Sequence, residues 1–141
     1  MMLKIRPMKI EDVFKVELDF DLPVEGRSNL VEHPNVEAFT LEEDGEIFAV
    51  GGAHIMWSGV AEAWVLISPN GKKHGTLFAR YAKRRFEGIL KENNIKRMQA
   101  TIHSTDAEAM RFAEWLGFEE EGLMRSYGPE GDDYIRVARV A

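Results

Sequence analysis

The 141-residue chain is 45% apolar and 30% charged, the composition of an ordinary soluble globule. It is long enough to bury its core as one domain over residues 1–141 without staples. Its formal net charge of -6 is the wrong sign for a general nucleic-acid binder, and no segment reaches the roughly 20 apolar residues of a membrane span. Cysteine is absent, which excludes disulfides, thiolate metal ligands and a cysteine acyl-enzyme, and suits a cytoplasmic location.

Leu3 to Pro7 reads as a first strand, and Ile10 to Leu18 as an amphipathic helix that buries Ile10, Val13, Phe14 and Val16 to Leu18. Between Asp19 and Asn35, the breakers Pro23, Gly26 and Pro34 predict loop and one short helix. Glu37 to Leu41 and Glu46 to Met56 read as two strands joined at Asp44-Gly45, a strong two-residue hairpin signal. Ser58-Gly59 turns the chain into Ala61 to Ser68, whose run Trp64-Val65-Leu66-Ile67 fits a central strand covered on both faces. Pro69-Asn70-Gly71 closes that strand, and a long helix follows from Gly75 to Lys91. Phe78, Ala82, Phe86, Ile89 and Leu90 line one side of it and basic residues the other.

Arg97 to Ile102 is the next strand. Thr105-Asp106-Ala107-Glu108 has the form of a capping box and predicts a helix ending near Gly117, with Ala109, Met110, Ala113 and Leu116 on one face. Phe118 to Ser126 and Tyr134 to Val140 make a closing hairpin around Gly128-Pro129-Glu130-Gly131. The four histidines, His33, His54, His74 and His103, have no ligand-like spacing, so no metal site is expected.

This order of elements resembles the GNAT N-acetyltransferase fold over nearly the whole chain. Two stretches carry the resemblance. Val65-Leu66-Ile67-Ser68-Pro69-Asn70-Gly71-Lys72-Lys73-His74-Gly75-Thr76-Leu77 is similar to the family's strand, its V-x-P turn and its R/Q-x-x-G-x-G/A loop. Asp106-Ala107-Glu108-Ala109 through Trp115-Leu116-Gly117-Phe118 is similar to its late N-x-x-A helix and Gly-Phe strand start. The stretch from Trp115 to Tyr134 also resembles GNAT-like proteins encoded by bacteriophages, which would make the chain a non-catalytic binding or assembly protein.

The resemblance implies an α/β (α+β) fold: a mixed, mostly antiparallel sheet with a central parallel strand pair, flanked by helices. It implies acetyl-CoA as co-substrate and an amine as acceptor, while the net charge and the lack of a long apolar run speak against a nucleic-acid or membrane partner. GNAT-like domains often dimerise, so it also implies a homodimer. The pyrophosphate would lie on Lys72, Lys73, His74, Gly75 and Thr76, because a helix start presents free amides and partial positive charge, and glycine lets the backbone approach. Leu77 stands where the family has a second glycine or alanine, and its branched side chain would crowd that loop.

Direct transfer needs an oriented thioester, a deprotonated amine, an oxyanion donor and a proton for sulfur. By resemblance, the backbone of Val65, Leu66 and Ile67 orients the thioester, and Asp106 accepts a hydrogen bond from the cofactor arm. Glu62 is the expected base, its pKa raised by burial beside Trp64, with His54 the runner-up. The place of the family's acidic tyrosine is taken by Ala113, which leaves Ser104 and Tyr127 as candidate acids.

Overall fold

The computed structural model describes residues 3–141. The chain runs β1 (Leu3–Pro7), α1 (Asp12–Lys15), α2 (Val24–Val31), β2 (Val36–Glu43), β3 (Glu46–Trp57), β4 (Val60–Ile67), α3 (Pro69–Lys72), α4 (Gly75–Glu92), β5 (Arg97–His103), α5 (Ala107–Trp115), β6 (Glu119–Met124) and β7 (Tyr134–Val140). The strands form one seven-stranded sheet in the order β1-β2-β3-β4-β5-β7-β6. Its neighbours are antiparallel except for β4 and β5, so the expected mixed sheet with one parallel pair is the sheet observed. The Asp44-Gly45 hairpin forms as expected, with both residues at positive φ (50° and 84°).

Side-chain alternation along β4 divides the core in two. Ala61, Ala63, Val65 and Ile67 face α4 and join Phe78, Ala82, Phe86 and Ile89. Trp64 and Leu66 face the other way and pack with Val13, Val16 and Val31 of the α1–α2 region. The apolar run is therefore covered on both faces, and each large buried side chain adds about 2 kcal/mol of burial free energy. Glu62 shares the α1–α2 face by the same alternation.

Three local expectations need correction. The helix expected over Ile10–Leu18 is only α1, and Ile10 and Phe14 are 63% and 41% exposed rather than buried. Val16 turns extended (ψ 125°), and the carbonyls released there are taken by a distant guanidinium. Arg27 Nη1 donates to Val13 O at 3.0 Å and Val16 O at 2.8 Å, while its Nε donates to Leu22 O at 3.0 Å. A residue 11 positions beyond Val16 thus ends the helix by supplying donors that no local pattern announces. Arg27→Met, which keeps the stem but removes the donors, is expected to lower stability by about 1–3 kcal/mol in urea unfolding.

Pro69-Asn70-Gly71 is not a plain turn but the body of α3, with Ser68 Oγ accepting the Gly71 N–H at 2.9 Å. A Cβ on Gly71 would collide with the Phe48 carbonyl oxygen, so glycine is what lets α3 sit directly on β3. The cap of α5 is Asp106 rather than Thr105: Asp106 Oδ1 accepts the Ala109 N–H at 3.0 Å. Thr105 instead turns its hydroxyl to His103 Nδ1 at 2.8 Å. At the other end Gly117 (φ 95°) closes α5 as expected, with the Phe118 N–H bonded to Ala113 O at 3.0 Å.

Candidate active site

The break between the two parallel strands organises the site. β4 and β5 pair only through Val60↔Arg97, Ala61↔Met98 and Glu62↔Gln99. Beyond that point β4 continues against β3 as far as Ile67, and β5 against β7 as far as His103. Their facing edges, Ala63–Ile67 and Ala100–His103, have no strand partner among the described residues. Backbone donors and acceptors left in this way call for other partners.

At the open end of β4, α3 leads into α4. The amides of Gly75, Thr76 and Leu77 have no hydrogen-bond partner among the described residues, and the ladder starts with Phe78 N–H to His74 O at 2.9 Å. These amides open into a cleft of about 550 Å³ lined by Lys72, Lys73, His74, Gly75, Thr76 and Leu77. No atom lies within 4 Å of where a Gly75 side chain would start. Leu77 is 37% exposed on the rim of the cleft, so it does not fill the loop. Free amides at the start of an 18-residue helix, beside two lysines, are chemically suited to an anion.

The other residues of the loop already have neighbours. His74 lies against the Phe48 ring, with centroids 5.2 Å apart. Lys72 Nζ donates to Asp19 Oδ2 at 3.1 Å, a bond that holds the amine above its ordinary pKa and ties α3 to the α1–α2 loop. Further along α4, Lys83 Nζ lies 4.7 Å from the Trp115 ring, a cation–π contact.

Where the strands part, a polar cluster sits on the α1–α2 face. Glu62 Oε1 accepts from Gln99 Nε2 at 2.9 Å, and Arg136 Nη1 lies 3.1 Å from both carboxylate oxygens. His54 is the register partner of Glu62 on β3 and is stacked on His33. The structure thus brings Glu62 and His54 together, and adds Gln99, Arg136 and His33, which sequence reasoning missed. The available signals were faint: the chain's lone glutamine, in a strand that alternates polar and apolar residues, and an arginine between Ile135 and Val137. The neighbouring Trp64 indole Nε1 is buried without a hydrogen-bond partner.

Ser104 and Tyr127 are placed elsewhere. Ser104 lies five residues past Gln99, about 16 Å along the strand direction. Its N–H donates to Asp133 O at 3.0 Å. Tyr127 is exposed and packs edge-on against Tyr134 at 5.4 Å, next to that same end. Ala113 is buried in the core. Asp106 spends one oxygen on its own helix cap. Val65 and Ile67 are partly buried towards α4, and Leu66 is buried towards α1–α2.

This architecture is that of the GNAT fold. Among solved structures, the chain is similar to the ribosomal-protein-alanine N-acetyltransferase from Escherichia coli, with a TM-score of 0.79 and 17% identity over 99% of this chain and 94% of that one. It is also similar to the IAA acetyltransferase from Bacillus cereus (TM-score 0.77, 13% identity, covering 99% and 100%). A third is a spermidine N-acetyltransferase chimera from Vibrio cholerae and hSSAT (TM-score 0.74, 16% identity, covering 98% and 95%). At these identities the likeness is one of fold. No family model and no curated sequence matches the chain. The resemblance to phage proteins finds no support in these comparisons. Among the described residues, no helix is long and apolar enough to cross a membrane, and no group of three or more His, Asp or Glu is placed to hold a metal ion.

Proposed function

We propose that the chain is an acetyl-CoA-dependent N-acetyltransferase that passes an acetyl group directly to an amine. The observation that carries this reading is the parting of β4 from β5 after Glu62 and Gln99, with a lysine-flanked helix start at its open end. The amides of Gly75, Thr76 and Leu77, with Lys72 and Lys73, would hold the pyrophosphate. The free edge of Ala63–Ile67 would take the amides of the pantetheine arm. Acetyl-CoA supplies an activated carbonyl and a thiolate leaving group. The chain supplies orientation and, at the parting of the strands, groups able to take a proton. The reading includes a cytoplasmic location, which the absence of cysteine suits, and a homodimer, as the resemblance implies.

A second reading, a non-catalytic binding or assembly protein on the same fold, is favoured by one observation. Ala113 is buried where the family carries its acid, and Ser104 and Tyr127 stand far from Glu62. Calorimetry separates the two readings. Acetyl-CoA at physiological salt is expected to give a saturable heat, and no heat up to millimolar ligand would leave the second reading standing.

A further inference from the structure

In the acetyl-transfer reading, a base must strip a proton from a cationic acceptor. Glu62 is the base that the resemblance implies, yet both of its oxygens are held by Arg136 and one also by Gln99. Its neighbour is differently placed. His54 shares the face of Glu62 through the β3–β4 register, one strand away from the parting of β4 and β5, and its ring makes no hydrogen bond among the described residues. The His33 ring covers it, with centroids 3.9 Å apart and planes 11° from parallel. His33 is itself fixed, since its Nε2 lies 2.7 Å from Asn29 O. A carbonyl only accepts, so that nitrogen carries the hydrogen.

We propose that His54 takes the proton from the acceptor ammonium at this site, and that His33 is the positioning residue stacked behind it. The proposal rests on the acetyl-transfer reading. The ammonium gives one proton to a ring nitrogen of His54. The freed lone pair forms the C–N bond to the acetyl carbonyl carbon, the C–S bond breaks, and sulfur leaves with its electron pair. The second proton on nitrogen goes to that thiolate, and His54 returns its own to water.

The charges around His54 suit this task. Burial, then the neighbouring His33, hold the ring below the ordinary imidazole range, while Glu62 on β4 pulls the other way, itself balanced by Arg136 on β7. On the β2 side the register partner is Val36, which brings no charge. A ring held down in this way favours its neutral form, the form that can accept a proton.

The test uses the full chain, acetyl-CoA and two minimal acceptors, with thiol release as the readout. Methylamine is cationic at neutral pH and needs a base; hydroxylamine is largely neutral there and does not. With the enzyme-free thiol release subtracted, since hydroxylamine attacks thioesters unaided, His54→Gln is expected to slow methylamine acetylation by about tenfold or more between about pH 6 and 8, with less than about twofold effect on the enzyme-dependent hydroxylamine rate. His33→Ala is expected to move the acid limb of the methylamine profile to higher pH, because both causes that hold His54 down are weakened. The His54 midpoint, read by NMR titration of the ring proton, is expected to rise in the same variant. An unchanged methylamine rate in His54→Gln would overturn the base assignment, and an unmoved midpoint in His33→Ala the positioning role. If acetyl-CoA binds by calorimetry but neither acceptor releases thiol from the wild type, the proposal also fails. If acetyl-CoA does not bind at all, the acetyl-transfer reading has failed first.

Discussion

Gly75→Trp is expected to abolish acetyl-CoA binding while leaving the protein folded. The position is open: no atom stands within 4 Å of an added Cβ, and Gly75 is not among the residues at positive φ, so a side chain meets no backbone strain. The indole would occupy the cleft lined by residues 72–77 and cover the free amides of Gly75, Thr76 and Leu77. Losing those donors and the space in front of them should weaken binding by about a hundredfold or more, about 2.7 kcal/mol. Gly75→Ala should keep affinity within a few-fold, since a methyl group leaves most of the cleft free. Calorimetry on both variants, beside thermal melts that agree with wild type to within about 2 °C, checks this. An unaltered affinity in the tryptophan variant would remove the cleft from the binding site.

The second large effect is expected on stability, at the other side of the sheet. Asp12 is 2% exposed and accepts four hydrogen bonds: from Arg6 Nη1 at 2.7 Å, Arg6 Nη2 at 3.0 Å, the Lys9 N–H at 2.8 Å and Thr40 Oγ1 at 2.8 Å. Arg6 also donates to Glu42 Oε1 at 2.8 Å, so one guanidinium joins β1, α1 and β2. Asp12→Ala leaves that cation short of a partner and strands the buried Thr40 hydroxyl. The expected cost is about 3–5 kcal/mol, measurable by urea unfolding at neutral pH.

Acid should act through the same group. Burial pushes the Asp12 carboxyl up, but the bonds from Arg6, Lys9 and Thr40 prevail and hold it at about 2, against an ordinary 3.8. The folded value lies below the unfolded one. Its contribution, about 2 kcal/mol, is therefore fully present above about pH 4 and is lost as pH falls from about 4 towards 2. The stability gap between wild type and Asp12→Asn should narrow over that window. A gap that stays constant from neutral pH to about pH 2 would show that Asp12 is not the linked group.

Much of the fold was legible because its signals are local. The Asp44-Gly45 turn needs two residues that tolerate positive φ, and the apolar face of α4 repeats within a single helix. The length of α1 was not legible, since it is cut short by Arg27, whose three acceptors lie on a segment already behind it in the chain. Nor was the true cap of α5: Thr105 and Asp106 both suit the role, and His103 draws the threonine hydroxyl away.

The candidate site divides along the same line. Lys72 to Leu77 could be recognised in advance because a strand end, a glycine and a helix start are neighbours in the chain. The cluster around Glu62 could not. Gln99 is 37 positions away and Arg136 74, and they meet Glu62 only because β4, β5 and β7 align in one register. The sequence alone determined the order of the strands and of α4 and α5, the hairpin and the lysine-flanked helix start, since neighbours along a chain have few ways to fold against each other. Only the tertiary structure decided which polar groups share a face, because strand pairing and twist bring together residues that no local pattern connects.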